Sequence, residues 1–201
     1  MKQFIALITA VAFLHGMACA QISAPKVIKA KTPVTAPPPP VYSLTNARVS
    51  ITTGKDNKEF SSEVTVWLIQ KGKGILFQQP GSNTRNEMQV NSTTEFGLNK
   101  WTNTKNIGSY LLTDIQQSGI ILRILYRPNL FTDAWRIEGI SVTLEFKDQN
   151  GNLHPTLGSK TITFNNTSGF LNNWDQIFEC RADGNFTPII SSILQDASGF
   201  N

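Results

Sequence analysis

The chain has 201 residues, 40% of them hydrophobic, and a formal net charge of +4. That length suits one domain plus accessory segments and is short for two. The basic excess is confined to the start: Lys2, Lys26, Lys29 and Lys31 precede residue 41, leaving 14 bases against 14 acids in the remainder. A near-neutral folded part offers no broad positive field for phosphates, which argues against nucleic acid as a partner.

The first twenty residues read as a cleavable signal peptide. Lys2 supplies the positive start, Phe4 to Leu14 is an apolar run of about eleven residues, and Ala18-Cys19-Ala20 is a small-x-small cleavage pattern. The run is too short for a membrane span, which needs roughly twenty apolar residues. Cleavage would leave Gln21 as the mature start. A second reading makes Cys19 a lipidated cysteine, although Gly16-Met17-Ala18 lacks the apolar residue usual three places before it. Both readings put the mature chain outside the cytoplasm: secreted, periplasmic or on the cell surface. After cleavage Cys180 has no cysteine to pair with, so the domain must rely on its own apolar core. No later stretch reaches transmembrane length.

Residues 21–41 are rich in proline and lysine and contain no aromatic, so they cannot bury enough surface to offset the entropy of ordering. Pro37 to Pro40 favour a polyproline II spacer.

From Tyr42 onward period-two patterning dominates. Val49 and Ile51 alternate with Ser50 and Thr52. Val64, Val66 and Leu68 share a face opposite Trp67 and Ile69. Gly119 to Arg127 is nearly continuous in apolar residues, as a central strand covered on both faces would be. Ile140, Val142, Leu144 and Phe146 alternate with Ser141, Thr143 and Glu145, and Thr161 to Phe164 repeats the pattern. Weaker strands are expected near Ile75–Gln78, Asn86–Val90 and Ser109–Thr113. Turn signals separate the runs, among them Lys71-Gly72, Pro80-Gly81 and Asn150-Gly151. Helical periodicity is confined to a short stretch around Phe170 to Phe178 and to Thr187–Ala197.

Ala47 to Gly54, a polar loop, and Glu63-Val-Thr-Val-Trp-Leu68 resemble the opening hairpin of PLAT (lipoxygenase-homology, LH2) domains. Asp133-Ala-Trp-Arg-Ile-Glu-Gly-Ile-Ser-Val142 is similar to that family's Ala-Trp motif and following strand, and Phe170-Leu-Asn-Asn-Trp174 to its closing segment. The resemblance implies an all-β fold, an antiparallel two-sheet β-sandwich of about eight strands over residues 42–180. Residues 181–201 would form a C-terminal extension, open to a short helix. It also implies a module that docks on lipid or protein, in some members with calcium in loops at one end. The chain departs from the family pattern at Ser61, where a carboxylate is expected.

Asp56, Asn57, Glu59 and Asp133 are the candidate calcium ligands, since the two loops that carry them could meet. Calcium wants six to eight oxygens with several carboxylates among them. With Ser61 in place of an acid, weak binding or none is expected, and a solvated acidic loop accounts for these residues equally well. No other cofactor is expected. His154 has no partner histidine for a metal site, and no Gly-x-Ser-x-Gly elbow is present. Trp67, Trp135 and Trp174 are expected in the core. Trp101 sits in the polar stretch Gly97–Asn106, flanked by Lys100 and Lys105. It either folds back under the sheet or serves as a docking platform, with the two lysines beside it.

The sequence thus points to an exported, non-catalytic binding module that docks on a membrane surface or a partner protein through loops at one end. A carbohydrate-binding or structural envelope sandwich is the second reading, and a small secreted hydrolase the third, with no catalytic constellation in view.

Overall fold

Alternation becomes strand wherever it is strongest. In the computed structural model β1 (Ser43–Thr53) buries Val49 and Ile51 and turns Ser50 and Thr52 outward. The model describes residues 37–81, 85–164, 169–172, 174 and 176–194; the expected signal peptide, Cys19 and residues 21–36 lie outside the described residues. β1 is flanked by β4 (Thr93–Lys100) and by the long β6 (Ala134–Lys147), which buries Ile140, Val142, Leu144 and Phe146 as expected. β7 (Ser159–Phe164) and β8 (Gly169–Asn172) pair with successive parts of the free side of β6.

The other group is built on β2 (Glu63–Gln70) and β5 (Ile120–Arg127), which pair from Glu63↔Arg127 to Gln70↔Ile120. β3 (Gly74–Gln78) hairpins onto β2, and β9 (Gln176–Ala182) and β10 (Pro188–Leu194) extend the sheet beyond β5. All ladders are antiparallel, in the order β10-β9-β5-β2-β3-β4-β1-β6-β7, with β8 also on β6. Among the described residues the ladder that joins the two groups is the short one between β3 and β4, Phe77↔Lys100 and Gln78↔Asn99. The edge strands β10 and β7 approach one another, so the sheet curls almost into a barrel around one core. Val64, Val66, Leu68, Leu122, Ile124 and Phe178 face Val49, Ile51, Val142 and Leu144 across that core, all 2% exposed or less. Each such side chain gains about 1.5–3 kcal/mol over an exposed one.

Several expectations are corrected. The stretch Ser109–Thr113 leads into a helix, α1 (Leu112–Ser118), and not a strand. Only Leu112 and Ile115 of that helix are buried, too few to display a helical period. It stops at Gly119, at φ +76°, where a Cβ would lie 2.4 Å from the Ala182 carbonyl oxygen. Gly97–Lys100, read as loop, belongs to β4, whose buried residues are only Phe96 and Leu98. In the stretch Phe170 to Phe178, the residues up to Asn172 and from Gln176 on are strand, in β8 and β9. Pro188–Leu194 is the strand β10 and not a helix, because the edge of β9 offers it a full ladder of backbone partners. The sheet therefore continues past residue 180, and the described residues carry ten strands where about eight were expected. Asn86–Val90 forms no strand, only an isolated bridge between Met88 and Lys58.

Candidate functional site

The register places four connections at one end of the sheet. Thr52 pairs with Thr93, Thr53 with Ile137, Glu63 with Arg127, Ala134 with Asn172 and Tyr126 with Gln176. The β1–β2, β3–β4, β5–β6 and β8–β9 connections therefore all emerge together. Their tips are apolar and open to solvent: Phe60 is 69% exposed, Leu130 58%, Phe131 76% and Trp174 75%, with Val90 beside them on the β3–β4 connection. Isolated exposed apolar residues are ordinary, whereas several on adjacent loops form a patch that calls for a partner.

Beneath the tips the loops are fastened by polar contacts. Asp133 is buried and its Oδ2 accepts a 2.7 Å hydrogen bond from the Ser62 hydroxyl. Ser62 Oγ in turn accepts from the Asn129 amide at 3.3 Å, which joins the β1–β2 and β5–β6 loops. Lys58 is fully buried, and its ammonium donates to the Glu59 carbonyl at 3.0 Å and the Asn86 carbonyl at 2.7 Å. Together with the Lys58–Met88 backbone bridge this ties the β1–β2 loop to the β3–β4 connection. Burial lowers the Lys58 pKa to about 8, against the pull of Glu63 and Glu87 in the other direction. Below lies Trp135, fully buried, with its indole N–H donating to Thr53 Oγ1 at 3.2 Å and its ring 5.9 Å from that of Tyr126. Burial pushes the Tyr126 phenol up to about 12; its hydroxyl sits near Ser62 without a well-formed hydrogen bond.

Of the four residues considered for calcium, the structure brings two together. Glu59 stands against Asp133, whose charge, followed by burial and a shared hydrogen bond, raises the Glu59 pKa above the usual carboxylate range. Asp56 contributes to the same field but uses its carbonyl to accept from the Arg136 amide at 3.0 Å. The Asn57 side-chain amide donates to Glu87 Oε1 at 3.2 Å, away from the pair. Among the described residues no three His, Cys, Asp or Glu side chains gather as a metal-binding group.

The tryptophans divide differently from expectation. Trp135 is core, Trp67 is half-buried on the outward face of β2, and Trp174, expected in the core, is at a loop tip. Trp174 lies just past β8, where the sheet no longer has an inner face to offer it. Trp101, with Lys100 and Lys105, leaves β4 at the end remote from Thr93 and so does not belong to the loop tips. Its indole N–H donates to the Lys105 carbonyl at 3.2 Å, its ring is half-buried, and the Lys100 ammonium lies 5.2 Å over the Tyr110 ring. Phe60, Leu130 and Phe131 escaped the sequence reading. Their signal was present: apolar residues in Lys58-Glu-Phe-Ser-Ser62 and Pro128-Asn-Leu-Phe-Thr-Asp133, outside any alternating run.

The other reactive residues are spent locally. His154 Nδ1 accepts from the amides of Thr156 and Leu157 at 3.2 and 3.0 Å, and its ring packs edge-on against Tyr42. Cys180 is fully buried. No family model matches the chain, and no curated protein matches it.

Proposed function

We propose that this chain is an exported, non-catalytic module that docks on a lipid surface through Phe60, Leu130, Phe131 and Trp174. The observation that carries the reading is the exposure of these four side chains on loops that share one end of the sheet. Aromatic and leucine side chains partition into the membrane interface, and each fully transferred apolar side chain contributes about 1.5–3 kcal/mol. Several together offset the cost of immobilising the protein on a surface.

The same end carries Lys55, Lys58, Arg85, Arg127 and Arg136 among Asp56, Glu59, Glu63, Glu87, Asp133 and Glu138. Charges so balanced give little attraction to anionic lipid, so binding rests on the apolar tips and depends weakly on salt. In this reading the two groups of strands, hinged at the two β3–β4 pairs, are the two sheets of a PLAT-like sandwich, and residues 1–20 are the signal that exports it. Calcium is not required for docking.

Co-sedimentation with phosphatidylcholine vesicles tests the proposal. The protein is expected to pellet with them at low and high salt, and Phe60→Ser/Phe131→Ser is expected to stay in the supernatant while melting as the parent does. Binding that needs anionic lipid and vanishes with salt, or that survives the double substitution, would sink it.

A further inference from the structure

A second feature lies away from the loop tips, at the β3–β4 junction. The two strands pair through Phe77↔Lys100 and Gln78↔Asn99, and the Trp101 amide extends the pairing by donating to the Leu76 carbonyl of β3. On the other side of Gln78 the chains part, as the Gln79 amide donates to Val66 of β2 while Leu98 pairs with Ala47 of β1. The chains splay there and open a cleft of about 370 Å³, within the range of small-molecule sites. Gln78 to Gly81 line it on one side and Asn99 to Asn103 on the other.

The chemistry of this lining is specific. Four carboxamides and a threonine hydroxyl provide paired donors and acceptors. Among the described lining residues the one charged side chain is Lys100, whose ammonium lies over the Tyr110 ring, and none is a carboxylate that could hold a cation. The one aromatic among them is held in place. The Trp101 indole N–H is held by the Lys105 carbonyl, the Lys105 amide is held by Asn103 Oδ1 at 2.9 Å, and the Tyr110 hydroxyl, which donates to the Leu76 carbonyl at 2.6 Å, lies 3.3 Å from the Trp101 carbonyl. A fixed aromatic ring surrounded by neutral amides suits a ligand with an apolar C–H face and a rim of hydroxyls. A lipid chain would leave the amides unpaired, and an anion would find only one, already engaged, cation.

We propose that this cleft is a binding subsite for a neutral oligosaccharide, with Trp101 as the stacking platform and Gln78, Asn99 and Asn103 as hydroxyl-reading groups. Because the cleft and the loop tips are separate, the domain can hold a glycan and a lipid surface independently.

The test is a titration of the ¹⁵N-labelled mature protein with cellohexaose, maltohexaose and N-acetylchitohexaose, followed through the Trp101 indole and the side-chain amide resonances. At least one sugar is expected to give saturable shifts at Trp101, Asn99 and Asn103. Those shifts should vanish in Trp101→Ala and persist in Trp174→Ser. Should Trp101→Ala fail to fold, Asn99→Ala/Thr102→Ala, which alters only exposed side chains, is expected to weaken binding about tenfold or more, the loss of one to two hydrogen bonds. No saturable shift with any of the three sugars, shifts centred elsewhere, or unchanged affinity in the variants would overturn the proposal.

Discussion

The tips and the floor of the loop end are a few residues apart in sequence and opposite in environment. Phe131 is 76% exposed, and Trp135, four residues on, is fully buried. Phe60 is 69% exposed, and Ser62, two residues on, has no exposure. A loop free to collapse would fold its aromatic onto the nearest apolar surface, since burial is favourable and non-directional. Here the Ser62–Asp133 hydrogen bond and the two carbonyls held by Lys58 fix the backbone, so the aromatic side chains stay outside. Exposure of the tips is thus a property of the polar layer beneath them. Disrupting the floor, the polar layer and the tips in turn should separate three different roles.

The floor should give the largest effect. Trp135→Ala removes a fully buried indole together with its hydrogen bond to Thr53, and is expected to cost about 3–5 kcal/mol. With total stabilities of roughly 5–15 kcal/mol typical of such domains, a urea melt should show a much lower midpoint or no folded baseline. A midpoint shift as small as that of a surface substitution would mean that the loop end is not built on this residue.

The polar layer comes next. Asp133→Ala takes from the buried Ser62 hydroxyl its 2.7 Å acceptor and leaves it only Asn129 Oδ1 at 3.4 Å, at about 1–3 kcal/mol. It also removes the charge that holds Glu59 above the carboxylate range. An NMR titration should then find the Glu59 carboxyl titrating lower than in the parent, despite the loss of stability. An unchanged Glu59 would show that the two carboxyls do not meet in solution.

Lys58 gives a smaller effect with a defined sign. Its folded pKa of about 8 lies below the ordinary 10.5, so the folded state gives up its proton first and stability should rise from about pH 8 to 10.5. Tyr126 acts in the opposite sense. Its phenol is raised to about 12, so the stability it contributes is complete below pH 10 and is lost as the pH climbs through 12. Thermal melts across this range should therefore rise and then fall, and Lys58→Met should remove the rise while leaving the fall. A rise that persists in Lys58→Met would place its origin elsewhere.

How much of this was legible in the sequence depended on how many residues carried each signal. β6 was plain because four inward and three outward positions alternate without a break from Ile140 to Phe146. β4 was not, because Gly97 and Asn99 alternate with only two buried residues and look like loop. α1 was hidden for the same reason, and β10 because its apolar spacing suits a helix as well as a strand until β9 supplies the partner. The approach of Glu59 to Asp133 was foreseeable from the two flanking hairpins. The unburied state of Trp174 was not, since it depends on where β8 ends relative to the sheet. Trp101 was read as docking residue or core; its ring is half-buried and fixed by an accepting carbonyl four residues away, which no pattern of apolar residues announces.

The tips should give the smallest effect on stability, and this is the sharpest form of the comparison. Trp174 and Trp135 are both single tryptophans beside strands that pair with one another, β8 with β6. Trp174 is 75% exposed, so truncation forfeits little that the folded state has gained over the unfolded chain. Trp174→Ser is expected to change stability by less than about 0.5 kcal/mol. The same substitution should weaken phosphatidylcholine binding and abolish quenching of tip fluorescence by lipids brominated along the acyl chain. Measured side by side, Trp135→Ala should lose the fold and Trp174→Ser should lose only the surface it docks on. If Trp174→Ser instead melts well below the parent, the indole is packed in solution, and the patch at the loop end loses its largest member.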